Sequence, residues 1–167
     1  CVEIERALIR DLDIPVFHDD QHGTAIVVTA AVINSLKLTG KKAEDCKVVV
    51  SGVGAAGSSI MRMLYNLGIR KIYGFGSKGI ILKEDYDKYD FLKKEITEFT
   101  NPENKRMTLA EAMVGADIFV GVSVPGVVTE EMVKSMAPKS IVLPMANPEP
   151  EITYEKAKAA GAYIVGT

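Results

Sequence analysis

Hydrophobic and polar positions along this chain fall into short blocks whose period switches between that of a helix and that of a strand. Residues Cys1 to Leu12 read as a short helix, Ile14 to Phe17 as a strand, and Thr24 to Leu38 as a buried helix rich in Ala, Ile and Val. Gly40 and the two lysines after it close that helix. Lys47 to Ser51 is a Val-rich strand, Gly57 to Leu67 a helix and Lys71 to Phe75 a second strand. That order is a βαβ unit, and it calls for a parallel sheet. The segment from Lys83 to Glu103 is charged, with Tyr86, Tyr89 and Phe91 interspersed, and reads as a surface excursion with a solvated face. Beyond it the pattern predicts a helix from Thr108 to Val114, a strand from Ile118 to Val122 and a helix from Glu130 to Met136. A strand from Ser140 to Pro144, a helix from Tyr154 to Ala160 and a strand from Tyr163 to Val165 complete the series. No internal repeat or low-complexity linker interrupts it. The expected fold is α/β, a Rossmann-like doubly wound parallel sheet with helices on both faces. Residues 1–40 are expected to form a strand-helix extension of the sheet carrying a metal-site turn, and residues 41–167 the dinucleotide-binding core.

Composition narrows the possibilities. A chain of 167 residues with 47% hydrophobic residues is the size of one domain with a substantial core. A net charge of −2 with mixed signs offers no basic stripe for a phosphate backbone, so nucleic acid is not an expected partner. No apolar run approaches the ~20 residues needed to span a bilayer, and no secretory signal is visible. Two cysteines, Cys1 and Cys46, make no disulfide framework, so a cytoplasmic location is the default. The chain opens on Cys1 without a methionine and stops straight after a strand-like run, which suggests part of a longer polypeptide.

Between the first two strands of the βαβ unit lies Ser51-Gly52-Val53-Gly54-Ala55-Ala56-Gly57, a Gly-x-Gly-x-x-Gly spacing. Alone it fits an ordinary tight turn; between a strand and a helix it points to dinucleotide binding. Gly52 permits the turn, Gly54 lets backbone approach a pyrophosphate, and Gly57 lets the helix pack closely. The helix N-terminus, through Ala55 and Ala56, presents free N–H groups to the diphosphate. The acidic residue expected about 20 positions on, which would hold the adenosine ribose, is missing. No acidic residue lies between Asp45 and Glu84, and the second strand ends in Gly76-Ser77-Lys78. Ser77 and Lys78 would greet a 2′-phosphate with a hydroxyl and a cation, which favours NADP over NAD; alternatively Lys78 is a solvated surface lysine.

The densest chemistry lies in Ile14-Pro15-Val16-Phe17-His18-Asp19-Asp20-Gln21-His22-Gly23-Thr24-Ala25. A strand ending in hard oxygen donors suits Mg²⁺ or Mn²⁺. His18 and His22 have the spacing of a helical zinc pair, but the adjoining strand and Gly23 argue against a continuous helix there. Both imidazoles are therefore read as hydrogen-bonding neighbours of the metal ligands. Thr24 either touches a ligand or caps the helix beside it. Asn147 before Pro148 is, on spacing alone, a turn initiator. Glu149 and Glu151 read as surface or loop-ordering residues, and Cys46 has no local His to activate it.

Four segments taken together, Ile14 to Ala25, Ser51 to Gly57, Gly115 to Ser123 and Ala146 to Ile152, resemble the NAD(P)-binding domain of bacterial-type malic enzymes. The resemblance spans almost the whole chain and implies oxidative decarboxylation of L-malate to pyruvate and CO₂, with reduction of NAD or NADP and a requirement for Mg²⁺ or Mn²⁺. It makes Asp20 a metal ligand and Asp19 its active-site neighbour, which helps position the proton-transfer groups. It makes Asn147 a malate contact beside the cofactor, and sets Ser123 and Val124 next to the nicotinamide ribose. By the same resemblance the remaining metal ligands and the catalytic Tyr and Lys lie outside this chain, the isolated piece is inactive with malate, and the full-length enzyme is a homo-oligomer. Other readings remain. The chain could belong to another two-domain dehydrogenase, such as an amino-acid dehydrogenase, or it could be a nucleotide-sensing module.

Overall fold

A computed structural model describes residues 2–167. Helix α1 spans Val2–Asp11 and α2 Asp19–Thr39, and a 3₁₀ turn at Ala43–Asp45 leads into β1, Lys47–Ser51. Helix α3 (Ala55–Asn66), β2 (Lys71–Gly76) and β3 (Gly79–Ile80) follow, then a 3₁₀ segment at Lys83–Lys88 and α4 (Phe91–Ile96). The chain continues through α5 (Leu109–Met113), β4 (Ile118–Gly121), α6 (Glu130–Lys134), β5 (Ile141–Pro144), α7 (Tyr154–Ala159) and β6 (Ile164–Val165).

The six strands form one sheet in the order β3-β2-β1-β4-β5-β6, with β1 paired in parallel to both β2 and β4. Only β3 runs antiparallel, folded back on β2 through Ser77 and Lys78. Successive side chains in a strand point to opposite faces, and here both faces are covered. Val48, Val50, Ile118 and Val120 pack under Val28 and Val32 of α2 and Ile60 and Leu64 of α3. Val49, Phe119 and Val142 pack against Met113 of α5, Val133 of α6 and Ala157 of α7. Burial on both sides explains why β1, β4 and β5 read as unbroken apolar runs. The doubly wound α/β fold expected from sequence is the fold observed.

Three expectations change. Residues 12–18 form no strand, and Ile14 and Phe17 are exposed. Pro15 has no N–H to give a ladder, and both sheet edges are already taken by β3 and β6. The first forty residues therefore do not lengthen the sheet; α2 lies on it, sharing a core with α3. Nor is α2 buried all round: Ala25, Val28, Val32 and Leu36 make the inner stripe, whereas Ile26, Val27 and Leu38 face out. The stretch 83–103 is more than a solvated cover. Ile96, Thr97, Thr100 and Asn101 are buried, and the Asn101 amide donates to the carbonyls of Ile81 and Lys105.

The contrast between inner and outer positions can be measured. Leu64→Ala, at a fully buried site, is expected to lower stability by about 2–5 kcal/mol. Leu38→Ala, on the exposed face of α2, should stay within about 0.5 kcal/mol of the parent. Urea denaturation of both variants reads the difference.

Candidate functional site

Parallel strands end together, and their C-terminal edge is where ligands bind in open α/β sheets. Here β1, β2 and β4 end on a cleft of about 960 Å³. Gly52 and Gly54 form one wall, Gly76, Ser77 and Lys78 a second, and Ser123 and Val124 a third. The glycine turn is held by its backbone: Gly52 N–H donates to the Phe75 carbonyl at 2.8 Å, and Val122 N–H to the Ser51 carbonyl at 2.8 Å. Gly52 has φ +108°, and a Cβ there would fall on the Val122 carbonyl. A Cβ on Gly57 would fall on the carbonyl of Gly52, so α3 is seated directly on the turn.

Gly54 differs from both. A Cβ there would meet nothing within 4 Å, so its missing side chain serves a space the protein leaves open. That space adjoins the first turn of α3, where the N–H groups at Ala55, Ala56 and Gly57 have no intrahelical acceptor. Backbone donors, a helix dipole and an open approach fit a diphosphate.

Beyond the motif, Lys93 from α4 and Arg106 also line the cleft. A Cβ at Gly76 would come within 3.9 Å of the Lys93 Cε, so that lysine occupies the region where a ribose-binding carboxylate would project. Lys93 pairs with Asp90, the N-cap of α4. Burial works against ionisation of Asp90, but the side-chain and backbone hydrogen bonds from Lys93 bring its carboxyl below the usual range. Three cations, Lys78, Lys93 and Arg106, thus face one carboxylate, Glu111, across the cleft. Glu111 is engaged elsewhere, in a capping box with Thr108.

The cleft unites Gly52, Gly54, Ser77, Lys78, Ser123 and Val124, but its lining does not include Asp19, Asp20 or Asn147. Asp19 and Asp20 stand in the first turn of α2, with His18 as N-cap, rather than at a strand end. Their charges suit the positive end of a helix. The helix runs on through Gly23, where a Cβ would strike the Asp19 carboxylate folded over it, so the missing side chain makes room for that carboxylate. The expectation that Gly23 interrupts the helix is corrected, whereas His18 stays outside α2 in extended backbone, so no continuous helix carries both histidines; Thr24 is an interior residue, not a cap. His22 Nε2 lies 2.8 Å from the Glu5 carboxylate, which is buried, and so ties α2 to α1. His18 Nε2 is 3.9 Å from Asp20 Oδ2. The Asp20 side chain is 92% exposed and open to a ligand. Among the described residues no group of three potential metal ligands is gathered.

Asn147 is exposed on the loop after β5, joined to Pro148 by a cis peptide. Of the two readings of Glu151, surface or loop-ordering, its full burial excludes the first and its hydrogen bonds to the loops at Ser123 and Ala146 fit the second. Glu149 is exposed. Cys46 is buried, and desolvation pushes its thiol up to about 11, away from nucleophilic use.

The family model described as "Malic enzyme, NAD binding domain" matches residues 21–163. The chain belongs to the malic enzyme family. It is 48% identical over 167 residues to a bifunctional malic/malolactic enzyme of Bacillus subtilis, covering all of this chain and 41% of that protein. It is 48% identical to an NADP-dependent malic enzyme of Haemophilus influenzae, covering 95% of this chain and 21% of the relative. The crystal structure of an NAD-dependent malic enzyme from Thermotoga maritima superposes with TM-score 0.95 at 45% identity, over all of this chain and 45% of that one. The chain thus spans less than half the length of these relatives, and the part it matches is described as the family's NAD-binding domain. This membership decides against an amino-acid dehydrogenase domain.

The glycines separate fold from binding. In Gly54→Ala, stability should remain within about 0.5 kcal/mol, while nucleotide affinity falls at least about tenfold because the methyl group enters the open approach. In Gly57→Ala both should fall. Thermal melts beside titration with NAD⁺ and NADP⁺ check the pair.

Proposed function

We propose that the full-length protein carrying this chain oxidatively decarboxylates L-malate to pyruvate and CO₂, reducing NAD(P)⁺, with Mg²⁺ or Mn²⁺. The observation that carries the reading is the glycine-turn cleft at the C-terminal edge of the sheet, in a chain of the malic enzyme family. When bound, the nicotinamide takes up hydride and the divalent cation polarises the oxygens of malate. Asp20, exposed at the start of α2, offers a carboxylate oxygen to the cation. Asp19, folded back over Gly23, orients the groups that move protons. Asn147 offers malate an amide that both donates and accepts, and Ser123 and Val124 flank the nicotinamide end of the cleft.

We further propose that NADP is preferred. Gly76 supplies no carboxylate to the adenosine ribose, while Lys78 places positive charge there and Ser77 adds a hydroxyl; Lys93, paired with Asp90, and Arg106, 3.6 Å from Asp85, line the same cleft. Residues 1–40 supply the metal-site turn and residues 41–167 the nucleotide core. The exposed apolar side chains Ile4, Ile9, Ile14 and Phe17 suit contact with the remainder of the longer polypeptide.

Malate-dependent formation of reduced nucleotide by the full-length protein, with Mn²⁺ present, tests the activity. Asp20→Asn should lower turnover at least about a hundredfold with nucleotide affinity nearly unchanged; parental turnover removes Asp20 from the metal site. A nucleotide-sensing module would instead bind nucleotide with no enhancement by Mn²⁺ or malate. For the cofactor, Lys78→Ala is expected to weaken NADP⁺ binding about tenfold and leave NAD⁺ binding alone, as read by paired calorimetric titrations.

A further inference from the structure

Glu151 is fully buried, and none of the ion pairs among the described residues includes it. An acid so placed is costly unless hydrogen bonds replace its water. They do: Ser123 N–H donates to Oε1 at 2.7 Å, the Ser123 hydroxyl donates to the same oxygen at 3.0 Å, and Ala146 N–H donates to Oε2 at 3.1 Å. Each of these hydrogen-bond partners is a donor, an arrangement that a two-oxygen acceptor satisfies and an amide does not. Room is made for it by Gly121 at the end of β4, where a Cβ would fall on the carboxylate.

The donors belong to different loops. Ser123 follows β4 on the nucleotide side, and Ala146 follows β5 directly before Asn147. The Ser51 and Ser123 hydroxyls lie 2.9 Å apart, and since Ser123 gives its proton to Glu151, Ser51 donates to Ser123. Glu151 thereby ends a relay that starts at the glycine turn. Its own segment is anchored too, with the Glu151 carbonyl accepting from Val128 N–H and the Pro150 carbonyl from Gly126 N–H, each at 3.2 Å.

We propose that Glu151 is a positioning residue that fixes the distance between the nicotinamide-side loop at Ser123 and the substrate-side loop at Asn147. The role rests on the malic enzyme reading above. A carboxylate spanning two loops sets where C2 of malate meets the nicotinamide, and small errors in such an approach reduce the rate of hydride transfer. Its two oxygens are needed at once, one for each loop.

The test uses the full-length enzyme and Glu151→Gln, whose amide NH₂ must face one of the backbone donors. We expect kcat/KM for malate to fall at least about tenfold, carried by kcat, with a larger primary isotope effect from C2-deuterated malate and a nucleotide Kd within about threefold of the parent. A folded variant with parental kcat/KM and isotope effect overturns the proposal. Should Glu151→Gln not fold, Ser123→Ala removes a single donor; it is expected to lower kcat/KM for malate about threefold or more, and a parental value overturns the proposal equally. Amide exchange in peptides holding Ser123 and Ala146 reads the link whatever the substrate. Faster exchange at both in Glu151→Gln supports the link even if the parent proves inactive with malate, which would overturn the reading of the site instead. Unchanged exchange at both overturns the link itself.

Discussion

The turn after β1 keeps its shape because carbonyl oxygens of Val122 and Gly52 occupy the places that Cβ atoms on Gly52 and Gly57 would take. Three backbone segments, the end of β4, the turn and the start of α3, approach more closely than any side chain permits. The rest of the site follows from that stack. It aims the first turn of α3 at the cleft, brings Ser51 against Ser123, and leaves the edge between β1 and β4 open to a ligand. Because β2 and β5 run parallel to these central strands, their loops arrive at the same edge, bringing Lys78 on one side and Asn147 on the other.

Much of this was legible in the sequence, for reasons that can be named. The strands β1, β4 and β5 are covered on both faces, so each announced itself as an apolar run, and their alternation with helices fixed the parallel order. Gly52, Gly54 and Gly57 were legible because the constraints on them are local: a positive φ, an open approach and a helix packed on its own turn. The caps Thr108, Thr129 and Thr153 closed the helix starts within a residue of the expected positions.

What the sequence concealed depends on contacts distant along the chain. Ile14 to Phe17 has the residue types of a strand, but whether a strand forms depends on a free sheet edge, which no local pattern reports. Gly23 read as a helix breaker, though its missing side chain makes room for Asp19 inside a helix. Lys93 and Arg106 line the cleft without belonging to any motif. Glu151 looked like one of two loop carboxylates until burial separated it from Glu149; its only sequence signal, Gly121 thirty positions earlier, carries meaning once the two are seen in contact.

We propose that nucleotide binds at the C-terminal edge around the glycine turn, with the loops after β1, β2 and β4 closing on it together. Peptide-resolved hydrogen exchange of the full-length protein, with and without saturating NADP⁺, tests this most directly. Protection should rise in peptides covering 51–57, 76–78 and 123–124, with exchange in α7 unchanged. Protection centred elsewhere, or none in the glycine turn at saturating nucleotide, would contradict the account.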